Sequence, residues 1–342
     1  MSENKSTLIS TVYNEENTIR DLLDSIVKQT KIPDETIIVD GGSTDNTQKI
    51  IQEYADEHEW INLIVEEGCN IAEGRNIAVK NASNKYIVST DGGCILDKNW
   101  YERMSKKFEE AEFVAGMWKP KSENLFEKVQ GRVIANTAEP EEFKKGNRGP
   151  SSRSVGFSKK AWEDVGGYPE NLYTGEDSKF NTKLLSKGYE MAVAENAWVE
   201  WRMRPTWKSY FKQFYKYGEG DARGGNLFTH PNKKLGVSKN LLVTSLIETR
   251  ILSLLGLIIT LLYYPVYTPI FLGIFLATIL AVWIYDYKPI KENFIEDGIK
   301  AFAIGLILSQ MKVSAWYLGF AKESVRKPSL ILKQLKEWKR QR

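Results

Sequence analysis

Few of the residues that build metal centres or covalent catalysis occur in this chain of 342 residues, which has two cysteines and two histidines. Cys69 and Cys94 show no disulfide or zinc spacing, and they fit a reducing compartment. His58 and His230 stand far apart, which argues against a histidine-based metal site and a Ser-His-Asp triad. An excess of one charge is missing too. The 47 Lys and Arg against 44 Asp and Glu leave a net charge of +3, so charge makes no case for nucleic acid as a partner. MSENKSTLIS runs into a strand-like segment without an apolar leader, so the N-terminal half is expected in the cytosol, with the sequon Asn81-Ala82-Ser83 unused. Two phosphate-binding signatures are also absent. A dinucleotide fold would carry Gly-x-Gly-x-x-Gly after its first strand, where this chain has Tyr13-Asn14-Glu15-Glu16-Asn17. There is no Gly-rich Walker loop ending in Lys-Ser or Lys-Thr.

What is present is an alternation. Thr7–Val12, Glu35–Val39, Trp60–Val65 and Tyr86–Ser89 read as strands. Helical patterns fall between them: Ile19, Leu22, Leu23, Ile26 and Val27 behind a cap at Asn17 or Thr18, then Gln48–Ala55, then Ile71–Val79. Short connections predict an α/β fold, a mainly parallel sheet flanked by helices. Ligands in such sheets bind beyond the carboxyl ends of the strands. Those ends read Tyr13-Asn14-Glu15, Asp40-Gly41-Gly42 and Thr90-Asp91-Gly92-Gly93. Each alone is equally an ordinary turn; three on one edge form a constellation. Gly92 and Gly93 leave room beside Asp91 for a ligand backbone or phosphate. Acidic strand ends accept hydrogen bonds from base and ribose, and hold a divalent cation that carries a diphosphate. A nucleoside diphosphate-sugar bound through Mg²⁺ or Mn²⁺ fits them.

The stretches STVYNEENTIRDLLDSI, IIVDGGSTDNT and GCNIAEGRNIAV, with the TDGGC strand end, resemble the inverting family 2 glycosyltransferases of GT-A fold over roughly residues 6–225. The resemblance implies that Tyr13, Glu15 and Asp40 line the nucleotide, with Asp40 accepting from the base. It also brings Arg75 and Asn76 towards the nucleotide; the competing reading is a helix start in solvent. Thr90, Asp91, Gly92 and Gly93 then form the diphosphate corner, with Asp91 as metal ligand. Gly93 stands where the family usually has a second Asp, which puts metal dependence in question. The nearest spare carboxylate, Asp97, is expected to begin, with Leu96, a helix containing Trp100, Met104 and Phe108.

Further along, Ser151–Phe157 reads as a strand and Lys160–Gly167 as a short helix. Glu176-Asp177 then opens a helix containing Phe180, Leu184 and Leu185. In the resembled family this pair supplies the general base: Asp177 is expected as base, with Glu176 orienting it or holding acceptor. By position alone both are also good N-terminal helix residues. Arg148 and Arg153 offset diphosphate charge or remain solvated. In Trp198–Trp207 and the run after it, Gln213, Tyr217 and Arg223 fall where the family closes over the donor diphosphate. The same aromatic and basic residues also suit a membrane-surface helix.

From Leu241 the chain turns apolar, in Ile251–Tyr264, Ile270–Tyr285 and Ala301–Phe320. A span needs about 20 apolar residues. The expected reading lets Leu241–Tyr264 lie in the interface while Tyr267–Tyr285 and Lys300–Phe320 cross, leaving Asp286–Gly298 as an outer loop. The expected domains are a glycosyltransferase domain over 1–225, a membrane region over 226–322 and a basic cytosolic tail over 323–342. Together these describe a cell-membrane enzyme with a cytoplasmic catalytic domain, using a nucleotide-sugar donor and a lipid-linked acceptor. The alternatives are a processive polysaccharide synthase and an inactive nucleotide-sugar-binding scaffold.

Overall fold

A computed structural model describes residues 5–135, 140–144, 149–224, 231–232 and 237–329. Arg148, His230 and the tail from residue 330 onward lie outside these. The chain begins β1 (Ser6–Val12), α1 (Ile19–Val27), β2 (Glu35–Asp40), α2 (Thr47–Glu57), β3 (Ile61–Val65), α3 (Ile71–Asn81) and β4 (Tyr86–Asp91). Next come β5 (Cys94–Leu96), α4 (Trp100–Lys106), β6 (Phe113–Lys121), α5 (Leu125–Ala135), α6 (Pro140–Lys144) and β7 (Val155–Ser158). They are followed by α7 (Lys159–Asp164), α8 (Glu176–Ser186), β8 (Met191–Arg202) and α9 (Trp207–Gly224). Helices α10 (Lys239–Tyr263), α11 (Thr268–Tyr285) and α12 (Tyr287–Arg326) follow. The chain divides into two compact units, Met1–Lys121 with Thr137–Met203, and Ser122–Asn136 with Arg204–Arg342.

The first unit is an eight-stranded mixed sheet in the order β3-β2-β1-β4-β7-β6-β8-β5. Strand β1 lies between β2 and β4 and runs parallel to both, with Val12 opposite Asp40 and Thr11 opposite Asp91. The chain first builds outward through β2 and β3, then returns to lay β4 on the other flank of β1. That reversal is the switch point at which an α/β sheet opens a crevice, and the three predicted strand ends line it. Fully buried Ile9, Val39, Ile87, Phe113, Phe157 and Phe180 belong to one core cluster of this unit. Helix α3 is held by a capping box: the Asn70 side chain accepts from the Ala72 and Glu73 amides, while the Glu73 carboxylate accepts from the Asn70 amide. Gly74 lets it lie directly on β1, because a Cβ there would drive into Thr11 Cγ2.

Three expectations change. Residues 94–96 are a strand paired with β8, and α4 starts only at Trp100; three residues are too few to display an alternation. Ser151–Ser154 is a turn closed by the Ser154 amide on the Ser151 carbonyl (2.9 Å), so β7 begins at Val155. Residues 198–202 finish β8 instead of starting a surface helix, with Val199 and Trp201 turned inward.

In the second unit, three helices are long and apolar enough to cross a membrane: Asn240–Tyr263, Pro265–Tyr285 and Tyr287–Arg326. The first two are joined by a short 3₁₀ turn, Pro265–Tyr267, and present many exposed leucines and isoleucines. The third is broken at Gly298, whose φ of +75° lies outside helical space. Residues 287–297, expected as a loop, are therefore a helical leg. Arg132 of α5 fastens that leg, donating to Asn293 (2.9 Å) and Asp297 (2.6 Å) and pairing with Glu296, while Lys128 bonds Asp297 (2.8 Å).

Helices α9 and α12 meet through two glycines. A Cβ on Gly218 would strike the Trp316 carbonyl, and one on Gly319 would strike the Tyr215 carbonyl. Gly218→Leu is therefore expected to destabilise this unit by at least about 2 kcal/mol through forced separation of the helices. Gly273→Leu, on α11 where no atom lies within 4 Å of the built Cβ, is the tolerated control. Melting temperatures of the detergent-solubilised chain measure both, and equal melting would refute the close packing.

Candidate functional site

The sheet edge at the switch point is shaped by two kinds of side chain: those that fix loops and those that hold charge. Asn14, just past β1, has a φ of +53°, a left-handed conformation that asparagine tolerates. Its side chain accepts from the Thr44 amide (2.9 Å), and its own amide donates to Ser43 Oγ (2.8 Å). Glu15 donates its amide to Thr47 Oγ1 (2.8 Å), and its carboxylate accepts from Thr18. These bonds join the ends of β1 and β2. Tyr13 is 59% exposed, and its ring lies beside Gly41.

Asp40 is fully buried. Its carboxylate accepts from the Gly42 amide (2.9 Å), the Ser43 amide (2.7 Å), Ser43 Oγ (2.5 Å) and Gln48 Nε2 (2.8 Å). Four donors satisfy the buried carboxyl group. The side chain thus organises the loop after β2 from within.

The centre of the edge is a buried bridge. Arg75, on the first turns of α3 and 2% exposed, donates Nη2 to Asp91 Oδ1 (2.7 Å) and Nη1 to Glu176 Oε1 (2.6 Å). Its guanidinium also lies 5.3 Å from the ring centroid of buried Tyr168. Burial pulls the Arg75 pKa down, but Asp91 first and Glu176 second more than reverse this, so the guanidinium stays charged. Glu176 is pushed above the ordinary carboxylate range, chiefly by burial and further by the Asp177 charge, against the pull of Arg75. Asn76 is likewise turned inward, donating to the Tyr168 carbonyl (2.9 Å) and to Glu170 (2.9 Å).

Asp177 follows Glu176 in the first turn of α8 and is only half-buried. Its Oδ1 accepts from the Ser178 amide (2.7 Å), and its Oδ2 lies 3.5 Å from the Ser152 amide. Arg153 approaches from the turn before β7. Its Nε is 3.8 Å from Asp91 Oδ2, its Nη1 donates to Ser151 Oγ (2.7 Å), and its guanidinium is 3.7 Å from the centroid of Trp201. Trp118 lies beside Trp201, 5.7 Å from the guanidinium. The two tryptophans come from β8 and β6 and escaped the sequence reading; Trp201 lay within a quoted aromatic segment, whereas Trp118 carried no local signal.

Thr90 is buried at the end of β4, and Gly92 packs on Val12 and Glu15. Gly93 has no atom within 4 Å of where a Cβ would stand. Asp91, Arg75, Glu176, Asp177 and Arg153 thus converge on one edge. Arg223 lies in the second unit, on α9, where it donates to Glu323 (2.8 Å); Gln213 on the same helix donates to Tyr217 (2.9 Å).

The donor set fits a divalent cation poorly. Among the described residues, no group of three or more His, Cys, Asp or Glu comes together that could hold one. Asp91 offers the only carboxylate at the end of β4, and both of its oxygens face a guanidinium. A Mg²⁺-like ion can rest on one or two carboxylates with substrate phosphates and water, but here the one carboxylate already carries two cationic neighbours.

Comparisons with known proteins bear on this edge. The family profile "Glycosyl transferase family 2" matches residues 7–166, and "Glycosyl transferase family group 2" matches residues 149–285. The glycosyltransferase GlyA of Streptococcus pneumoniae is 33% identical over 108 residues, covering 32% of this chain and 16% of that one. The poly-beta-1,6-N-acetyl-D-glucosamine synthase of Staphylococcus epidermidis is 27% identical over 217 residues, covering 61% and 52%. The chain therefore spans about half the length of the synthase, and less of GlyA. The mannosyltransferase PcManGT from Pyrobaculum calidifontis, solved in complex with GDP-Man and Mn²⁺, shares the fold at a TM-score of 0.53 and 17% identity, over 93% of this chain and 86% of that one.

The buried bridge makes a direct test. Arg75→Met leaves two carboxylates without their shared cation and is expected to cost about 3–5 kcal/mol. In this variant burial holds the folded-state pKa of Glu176 above its unfolded value. The deficit should therefore be largest at about pH 8 and shrink towards about pH 5 as the carboxyl takes up its proton. Thermal unfolding of the full chain across that range checks this, and a pH-independent deficit would contradict it.

Proposed function

The chain belongs to glycosyl transferase family 2, and from that premise we propose that it moves a sugar, with inversion, from a nucleoside diphosphate-sugar to a lipid-linked acceptor at the cytosolic face of a membrane. The observation that carries the reading is the first turn of α8, where Glu176 is tied to Asp91 through Arg75 while neighbouring Asp177 stays partly exposed. Two carboxylates side by side thus have different environments, one fixed and buried and one available.

Asp177 is the general base. It takes the proton of the acceptor hydroxyl as that oxygen forms its bond to the anomeric carbon. The bond from that carbon to the phosphate oxygen breaks in the same displacement, and its electron pair leaves with the nucleoside diphosphate. Glu176 anchors the turn that aims Asp177. Tyr13, Asn14 and Glu15, with the loop ordered by Asp40, form the nucleotide side, and Thr90–Gly93 the diphosphate side. Arg223 enters only by resemblance.

The lipid-linked acceptor is inferred from the second unit. An apolar groove of about 620 Å³, lined by Phe211, Trp283, Leu306, Ile307 and Met311 among others, has the chemistry to take a prenyl chain. In this reading α10 and α11 are the crossing pair, which differs from the expected pair of α11 and α12. The support is that α12 is the most covered of the three apolar helices, 39% of its apolar window being buried against 17% and 11%. Two crossings keep both ends of the unit on one side, and residues 286–297 then lie on the side of α5, whose lysine and arginine they bind. Val266→Cys, in the turn between the crossing helices, should react with an impermeant maleimide on intact cells, whereas Ile295→Cys should not. The reverse pattern would overturn this topology.

Repeated addition to one chain is a second reading, favoured by the synthase relative. One assay addresses both, with purified full-length chain, a panel of nucleotide-sugars and polyprenyl phosphate or lipid-linked saccharide. A single added sugar supports the proposal, a polymer ladder the second reading, and donor binding without turnover an inactive binding subunit. Asp177→Asn should lower turnover on the lipid-linked saccharide, whose attacking hydroxyl must lose a proton, by about 10²- to 10⁴-fold with donor binding intact. Full activity in that variant would reject the base.

A further inference from the structure

We propose that the donor diphosphate is neutralised by Arg153, stacked on Trp201 with Trp118 beside it, and that donor binding needs no divalent cation. This rests on the transferase reading above. It starts from the mismatch at Asp91, which offers a cation one carboxylate whose two oxygens already face Arg75 at 2.7 Å and Arg153 at 3.8 Å. A divalent ion arriving there would gain one ligand while meeting two fixed positive charges. A diphosphate arriving on the same side meets an attractive field instead.

Arg153 is built to stay in place. Its backbone belongs to the turn Ser151–Ser154, closed by a backbone hydrogen bond of 2.9 Å. Its Nη1 is held by Ser151 Oγ at 2.7 Å, and the indole of Trp201 lies 3.7 Å from its guanidinium carbon. Trp118 stands edge-on to Trp201, with 5.5 Å between the rings. Trp118 and Trp201 are brought together by the parallel pairing of β6 with β8, in which Trp118 lies opposite Val199 and Pro120 opposite Trp201. A guanidinium stacked on an indole keeps its full charge, because a ring face attracts a cation without neutralising it. A planar, fixed guanidinium can offer paired N–H groups to phosphate oxygens and needs no reorganisation as charge develops on the leaving group. Arg75 cannot serve in this way, since it is buried and shared between two carboxylates.

The test measures Kd for UDP-, GDP- and dTDP-sugars on the full chain in detergent, with EDTA and with Mn²⁺. The expected result is one Kd in both buffers. Arg153→Gln should weaken the bound nucleotide-sugar about tenfold or more in each, with Arg153→Lys between the two. To separate charge from packing, the same variants are titrated with the nucleoside monophosphate, which lacks the second phosphate; its Kd should change far less. Gly93→Asp, where the structure leaves open space, should make binding respond to Mn²⁺. Donor binding that appears only with Mn²⁺ overturns the inference and leaves the transferase reading standing. A wild-type Kd in Arg153→Gln also overturns it. Failure of every nucleotide-sugar in both buffers removes the transferase reading, and this inference with it.

Discussion

Arg75 is the charge on which the edge at the switch point depends. Its guanidinium is buried, which by itself is expensive, and it stays because Asp91 and Glu176 each take one of its terminal nitrogens. The consequence is geometric. Asp91 ends β4 and Glu176 starts α8, so one side chain from α3 fixes a strand end and a helix start that the chain separates by 85 positions. Remove the cation, and two carboxylates confront each other in a poorly solvated place. The capping box at Asn70 and the bare surface of Gly74 serve the same end, since they set the height at which α3, and therefore Arg75, rests on β1.

Around that bridge the edge separates into fixed and available groups. Asp40, Asn76 and Glu176 are buried and spend their hydrogen-bonding capacity inside the unit. Tyr13 and Asp177 keep surface towards solvent. An active site needs both kinds, because a reacting carboxylate placed on an unfixed turn loses the orientation that makes proton transfer efficient.

The alternating pattern of the first hundred residues was legible because it is local: β-branched runs, helical periodicity and turn chemistry all act within a few residues. Asp40 and Asp91 stood out as strand ends for the same reason, whereas Glu176 and Asp177 stood out through the family resemblance. The partnership of Arg75 with Glu176 was not legible, since it joins residues 101 apart and exists only after the sheet has formed. Trp118 and Trp201 meet through the pairing of β6 with β8, which no local pattern announces. The acidic stretch Asp286–Gly298 read as an outer loop because the placement of basic residues favoured that topology. It is helical because Lys128 and Arg132, more than 150 residues earlier, supply the counter-charges.

The two arginines that share Asp91 illustrate how burial sorts identical side chains into different work. Arg75 is 2% exposed and has its charge consumed by two carboxylates, so it contributes rigidity and little external field. Arg153, at 17%, touches Asp91 only loosely and rests on an indole face. Stacking adds a hold on a cation that does not itself cancel the charge, whereas an ion pair does. In the proposed reading a diphosphate held by Arg153 binds and leaves without displacing the ring, and the open space at Gly93 leaves Asp91 as the carboxylate at that strand end.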